Sequence, residues 1–376
     1  MDTAASGSLR RLAPSAFTLV ELLVSVGVLA ILMMVLTQVL SDTQKTWGRA
    51  KARVEEFREA RAAFEAIAAR LSQATLNSYW GYKLDAGGDP VLYQRQSELH
   101  YVSGPATTLL GSTVPAAGHA LFFQAPLGEN LDPGTGNPSS TEPYGLESML
   151  NAWGWYVTYE SDMERRPAFL DDKEPHPERK RFRLMEFRQP TEKLPLYQLV
   201  TPASGGAATP KVPWIEAQTS QAGLYDWFRV YLAADSQPVA ENILAIFVQP
   251  VWPLPGQDTG ADTTAAPNYL YDTRRYQWPE SSGLAERSRH QLPPMVRLTL
   301  VALDERDWAR LDSTGTDALA VQLRSLANTK VFTTSSQYEA DVKRLETELV
   351  SLKLGFRVFS TAVQIPAAKL MSTREN

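Results

Sequence analysis

Residues Phe17 to Leu40 read FTLVELLVSVGVLAILMMVLTQVL, the one stretch of this 376-residue chain apolar enough to span a bilayer. As a helix rising about 1.5 Å per residue it reaches about 36 Å, enough to cross a hydrocarbon core of roughly 30 Å. Ahead of it lies MDTAASGSLRRLAPSA, in which Arg10 and Arg11 supply the positive charge that keeps a leader in the cytoplasm. A secretory signal peptide would have a shorter apolar run ending at a small-residue cleavage site. Here the run is longer and continues as SDTQKTWGRAKARVEEF, a polar helical sequence without an A-x-A site. An uncleaved signal anchor remains the plain alternative.

Glu21 sets this anchor apart. A charge one turn into an apolar helix costs about 2.5 to 3.5 kcal/mol at membrane depth even on lenient insertion scales. If the chain is cut before Phe17, the new α-amino group stands four residues away and can pair with that carboxylate, or with one on a neighbouring subunit. The other reading of Glu21 is an interfacial charge tolerated at headgroup level.

The string AFTLVELLVSVGVLAIL resembles the prepilin-type cleavage and methylation segment of type IV pilins and type II secretion pseudopilins. By that resemblance a prepilin peptidase cuts between Ala16 and Phe17, Phe17 becomes the N-methylated first residue, and Glu21 is the glutamate that meets a neighbour's amino terminus during assembly. The family more often has glycine where this chain has Ala16. Many pilins also carry a kinking proline where this chain has Gln38, so the resemblance with that difference implies a straighter anchor.

Beyond the anchor, Trp47, Ala50, Val54, Phe57, Phe64, Ala68 and Leu71 recur at spacings of three and four, with Arg61 interrupting the series. That periodicity predicts a helix over Thr43 to Leu76 with one apolar stripe, packed on its own body, on neighbouring subunits, or on each along different lengths. From Pro90 to Pro294 lie 23 of the 25 prolines among short aromatic or alternating runs, which predicts a mainly β body with long loops. Expected strands are Glu98 to Val102, Ala120 to Gln124, Trp153 to Tyr159, Arg181 to Arg188, Asn242 to Pro250 and Val296 to Leu303. A second helix is expected over Thr334 to Lys353, with Tyr338, Val342, Leu345, Leu349 and Leu352 on one face, followed by a closing strand in GFRVFSTAVQIPAAK. The segments LPPMVRLTLVALDERDW and FRVFSTAVQIPAAK resemble the body of J-type minor pseudopilins and of the pilin-like family called Verru_Chthon cassette protein C.

Composition narrows the remaining functions. A net charge of -5 offers no basic excess for a phosphate backbone, so no nucleic acid partner is expected. With no cysteine there are no disulfides, thiolate metal sites or cysteine nucleophiles. No G-x-S-x-G, H-E-x-x-H or phosphate-binding glycine motif is present. His100, His119, His176 and His290 have no ligand spacing and read as surface or strand residues. The acidic groups Asp171, Asp172 and Glu174, and the DTGAD of Asp258 to Asp262, match no calcium-loop spacing and read as solvated loops. Tryptophans in WGWYV and VQPVW read as buried strand residues rather than a binding platform.

The expectation is therefore an α+β, pilin-like, non-enzymatic subunit with a long N-terminal transmembrane-plus-stalk helix packed on a mainly antiparallel β body. It comprises a leader (1–16), a transmembrane helix (17–40), a stalk helix (41–82) and an extracytoplasmic body (83–376). It has no catalytic residue, metal or cofactor. Its partners are the prepilin peptidase, other pilin or pseudopilin subunits and the lipid bilayer, and its place is the bacterial inner membrane with the body in the periplasm or cell envelope. A minor position in the fibre follows from the bulk of the body. The alternative is a membrane-tethered binding module or enzyme that uses the anchor for display.

Overall fold

The computed structural model describes residues 18–85, 87, 89–128, 150–163, 166, 178–194, 199–200, 209–210, 224–252, 263–264, 266, 268–275, 289–312 and 317–368. The chain divides into two units, Met1–Glu55 and Glu56–Asn376. Ala16, Phe17, Arg10 and Arg11 lie outside the described residues, as do His176, Asp171, Asp172, Glu174 and Asp258 to Asp262.

Helix α1 runs Leu19–Leu71. In the first unit its stretch Leu19–Gly48 is long and apolar enough to cross a membrane, and its side chains are exposed from Leu19 to Leu40. A helix apolar all round and exposed all round suits a hydrocarbon solvent, in which every backbone polar group is satisfied within the helix. Its hydroxyls are satisfied the same way: Ser25 donates to the Leu22 carbonyl at 2.8 Å and Thr37 to the Met33 carbonyl at 2.7 Å.

In the second unit the helix becomes one-sided. Ala60, Phe64, Ile67 and Leu71 are buried on the body, at the spacing of three and four that keeps one face inward. The helix stops at Leu71 rather than continuing to Tyr82. Past Leu71 a turn forms, and the Thr75 N–H bonds to the Gln124 carbonyl of the sheet. Tyr79, Trp80 and Tyr82 then enter strand β1 (Tyr79–Leu84), which pairs with β2 (Pro90–Gln96) as a two-stranded hairpin. Closely spaced aromatics favour the pleated strand over a helix.

The central sheet is mixed and largely antiparallel. Its strands are β3 (Val102–Pro105), β4 (Ala116–Ala125), β5 (Asn151–Ser161), β6 (Lys180–Gln189), β9 (Ser236–Glu241), β10 (Ile243–Trp252), β11 (Thr263–Thr264), β12 (Tyr271–Asp272), β13 (Met295–Leu303) and β14 (Phe356–Gln364). The short strands β7 (Leu199–Val200) and β8 (Thr209–Pro210) pair separately. The main path runs β14-β13-β10-β4-β5-β6-β9, with β3 on β4, β12 on β3 and β11 on β10. Among the described pairs only β10 and β4 run parallel, meeting at Ile246 and Gly118. Gly118 has φ +71, and a Cβ there would lie 2.8 Å from both the Ala245 Cβ and the Ile246 carbonyl oxygen, so only glycine fits the junction. The Asn328 side chain holds that bend, accepting from the Gly118 N–H at 2.7 Å and donating to the Ala116 carbonyl at 2.9 Å.

Both faces of the sheet are covered. Consecutive strand residues point to opposite faces, so neighbours on a strand show which helix lies where. Phe359 of β14 meets Phe64 of α1, whereas Ser360 bonds Thr299 of β13, which in turn bonds Tyr338 of α7 (Tyr338–Ser351). Likewise Trp153 of β5 lies beneath Arg70 of α1, while Tyr156 belongs to the opposite core with Phe122, Phe187 and the short helices α2 (Ala106–Leu110), α3 (Asp226–Arg229) and α4 (Leu232–Asp235). Helices α5 (Glu305–Asp312) and α6 (Ala318–Ser325) fill the connection from β13 to α7.

The strand expected over Glu98 to Val102 is displaced, and β3 begins at Val102. The backbone before it is held by side chains instead of a ladder. Asn77 Oδ1 accepts from the Glu98 N–H at 3.1 Å and the Leu99 N–H at 3.2 Å. The His100 N–H donates to Gln124 Oε1 at 2.8 Å, and the Tyr101 N–H donates to Thr273 Oγ1 at 3.1 Å. With those groups satisfied, a buried segment needs no strand partner. The helix expected from Thr334 begins at Tyr338, behind a 3-10 turn over Ser335–Gln337.

Candidate functional site

The start of α1 carries the first candidate. Thr18 precedes the helix, and its Oγ1 accepts the Glu21 N–H at 3.3 Å, while the Leu22 N–H reaches the Thr18 carbonyl at 3.2 Å. Thr18 is thus an N-cap and Glu21 the third helical residue, the Thr-x-x-Glu spacing of a capping box. A carboxylate in the first turn also faces the positive end of the helix dipole. Among the described residues the Glu21 carboxylate has no partner, although the hydroxyls of Ser25 and Thr37 do. The threonine's capping role is legible in the Thr-x-x-Glu spacing, and sequence reasoning passed over it.

The body holds a second candidate that no sequence pattern announces. His100 Nε2 lies 2.7 Å from Asp272 Oδ1, Tyr225 donates its hydroxyl to Asp272 Oδ2 at 3.0 Å, and the Arg274 N–H donates to Asp272 Oδ1 at 2.9 Å. Trp227 Nε1 donates to His100 Nδ1 at 3.0 Å, which makes Nδ1 the acceptor and Nε2 the protonated nitrogen of a neutral ring. Burial pulls the His100 pKa below its ordinary value, reinforced by Arg274 and opposed by Asp272. Burial acts to raise the Asp272 carboxyl, but His100 and the other donors outweigh it and hold it below the usual carboxylate range. Both ring nitrogens and both carboxylate oxygens are occupied. The cluster ties α3 to β12 and to the segment before β3.

His119 is equally enclosed. It sits on β4 among Phe247, Tyr269 and Phe332, and its Nδ1 accepts the Val248 N–H at 3.0 Å. Burial brings its pKa down to about 4. His290 is brought down to about 3 by burial and by Arg274. His119 lies on a strand, as the surface-or-strand reading expected, whereas His100 is a core residue outside any strand. Trp153, Trp155 and Trp252 are buried, whereas Trp80 is exposed on the β1–β2 hairpin, stacked on Tyr93 at 5.5 Å.

A cleft of about 120 Å³ lies between Trp80, Arg95, His290 and Gln291. It is well below the roughly 300 to 1,000 Å³ of small-molecule sites. Among the described residues no group of three or more histidine, aspartate or glutamate side chains is arranged to hold a metal ion.

No protein-family profile, curated protein or solved structure matches the chain. The structure defines the class: a chain with one N-terminal helix long and apolar enough to cross a membrane, joined to a mixed, largely antiparallel β body covered by helices.

Proposed function

We propose that this chain is a pilin-like assembly subunit of a bacterial inner-membrane pseudopilus or type IV pilus-like fibre. A prepilin peptidase removes residues 1–16, Phe17 is methylated, and the mature helix joins other subunits in the bilayer with the body on the periplasmic side. The observation that carries this reading is Glu21, a carboxylate without a partner among the described residues, in the first turn of an exposed apolar helix whose hydroxyls satisfy themselves. In hydrocarbon such a group needs a cation. Cleavage before Phe17 creates one at the helix start, and a neighbouring subunit brings another. The size of the body suits a minor position in the fibre.

Two measurements test this. Intact-mass analysis of the protein recovered from membranes is expected to give a chain beginning at methylated Phe17; a chain retaining Met1 overturns the reading. Incorporation into a sedimentable fibre is expected to be lost in Glu21→Gln, which keeps the helix and removes the charge.

A further inference from the structure

The two edges of the main sheet differ. Edge strand β9 contains Pro238, which has no N–H to offer, and Glu241, whose carboxylate is bound by Arg181 and Arg183. Edge strand β14 contains no proline, and Arg357 is its one charged residue. The Asp304 N–H donates to the Gly355 carbonyl and the Ile365 N–H to the Pro294 carbonyl. Bonding toward β13 therefore falls on the odd-numbered residues, across a register without a shift. Alternate residues of an antiparallel strand turn the other way. The backbone N–H and carbonyl groups of Phe356, Val358, Ser360, Ala362 and Gln364 point outward, and among the described residues nothing bonds them.

Beside this edge lies a groove of about 530 Å³ between α1 and β14, lined by Phe64, Ala68 and Phe359 and, in larger part, by polar residues that include Arg61, Glu65, Arg357 and Thr361. Arg61 and Glu65 pair with each other at 2.8 Å. Arg357 lies over the Phe359 ring at 5.7 Å, with no carboxylate at ion-pair distance among the described residues.

We propose that β14 accepts a further strand from a protein partner: an extended segment with an acidic side chain where it passes Arg357. Outward backbone groups supply the binding, and Arg357 supplies the selection. A second copy of β14 does not meet these terms. Paired antiparallel with itself, β14 sets Arg357 opposite Val363; paired parallel, it sets the two arginines side by side. In neither arrangement is there an acid for Arg357, because β14 has none. The inference is independent of the anchor reading: processing at Phe17 can hold with this edge unused, and the edge can bind whatever the anchor does.

The full-length protein in detergent is titrated, by fluorescence anisotropy, with a labelled nine-residue peptide alternating valine and serine, with one aspartate placed to pass Arg357. Saturable binding is expected, weaker by about tenfold or more when lysine replaces the aspartate, with the preference reversed in Arg357→Glu. Ala362→Pro removes an outward N–H without touching the β13 ladder and is expected to abolish binding at unchanged thermal stability. If that variant does not fold, a peptide N-methylated on alternate amides replaces it and is expected not to bind. Failure of the aspartate peptide to bind, or equal binding by the proline variant and the N-methylated probe, overturns the proposal. So does slow hydrogen exchange at the outward amides in the isolated protein, which would mean that the chain itself or a second copy covers the edge.

Discussion

Arg70, in the last turn of α1, bonds the carboxylate of Glu186 on β6 while its guanidinium lies 4.1 Å from the ring centre of Trp153 on β5. The Glu186 side chain is 6% exposed and that of Arg70 33%, so the acid is buried and the base closes over it. One side chain thereby seats the end of the helix on two strands. Removing the arginine takes an ion-pair partner from a buried carboxylate, and breaking a fully enclosed pair costs about 3 to 5 kcal/mol. Partial exposure of Arg70 reduces this, and Arg70→Ala is expected to destabilise the protein by about 2 to 3 kcal/mol. Urea unfolding measures it. The double variant Arg70→Leu, Glu186→Leu is expected to recover most of the loss; if it is no better than the single change, the pair is not what seats the helix.

Gly154 is a requirement of packing. It stands opposite Phe122 in the β4–β5 register, and a Cβ on it would lie 2.1 Å from that ring. Phe122 in turn stacks on Phe228 of α3 at 3.9 Å. Gly154→Ala is therefore expected to displace α3 and destabilise the protein by about 2 to 3 kcal/mol, at the upper end of overpacking costs. The further change Phe122→Leu, which withdraws the ring, is expected to restore part of that loss. Thermal unfolding of the single and double variants decides it, and strict additivity would refute the contact.

The buried histidines make stability fall in acid. His100, His119 and His290 all have folded values below the ordinary 6.5. Below that pH the unfolded chain takes up protons that the folded chain refuses. The stability these residues provide is full above about pH 6.5 and declines as pH falls, for His119 until about pH 4. Each contributes a slope of up to roughly 1.4 kcal/mol per pH unit. Asp272, held below its usual range, acts in the same direction at lower pH. Urea titrations between pH 7 and 5 are expected to show the decline, and His119→Gln is expected to flatten it by about one proton. An unchanged slope in that variant would show that His119 titrates normally.

Capping and charge at the start of α1 can be separated. Thr18→Ala removes the oxygen that accepts the Glu21 N–H and weakens the helix start by about 1 kcal/mol while leaving the carboxylate in place. Glu21→Gln leaves the cap and removes the charge. Fibre incorporation, measured by sedimentation, is expected to survive the first change and fail in the second. The reverse result would make Glu21 a capping residue and remove the support for the assembly reading.

Much of this architecture is legible in local patterns. The apolar run from Phe17, the spacing of Phe57, Phe64 and Leu71, the alternation in WGWYV and the face of Tyr338, Leu345 and Leu349 each encode an element through a period the backbone imposes. What stayed hidden lacks a period. The stretch Glu98 to Val102 reads as a strand from its short alternating run, yet side chains from Asn77, Gln124 and Thr273 bond the backbone of Glu98 to Tyr101, and none is near it in sequence. The join of His100 to Asp272 spans 172 positions with no motif between them.

By itself, then, the sequence determined the N-terminal helix long and apolar enough to cross a membrane, the one-sided helix that follows it and most strands, because hydrophobic periodicity acts over a few residues. Only the tertiary structure decided which elements meet across each face of the sheet, that among the described residues no strand pairs with the outer side of β14, and that His100, Asp272, Tyr225 and Trp227 form one buried cluster. Those outcomes depend on strand order and on which buried donor finds which acceptor. Both are settled by chain segments far apart in sequence, through the cost of leaving a polar group unsatisfied in the core.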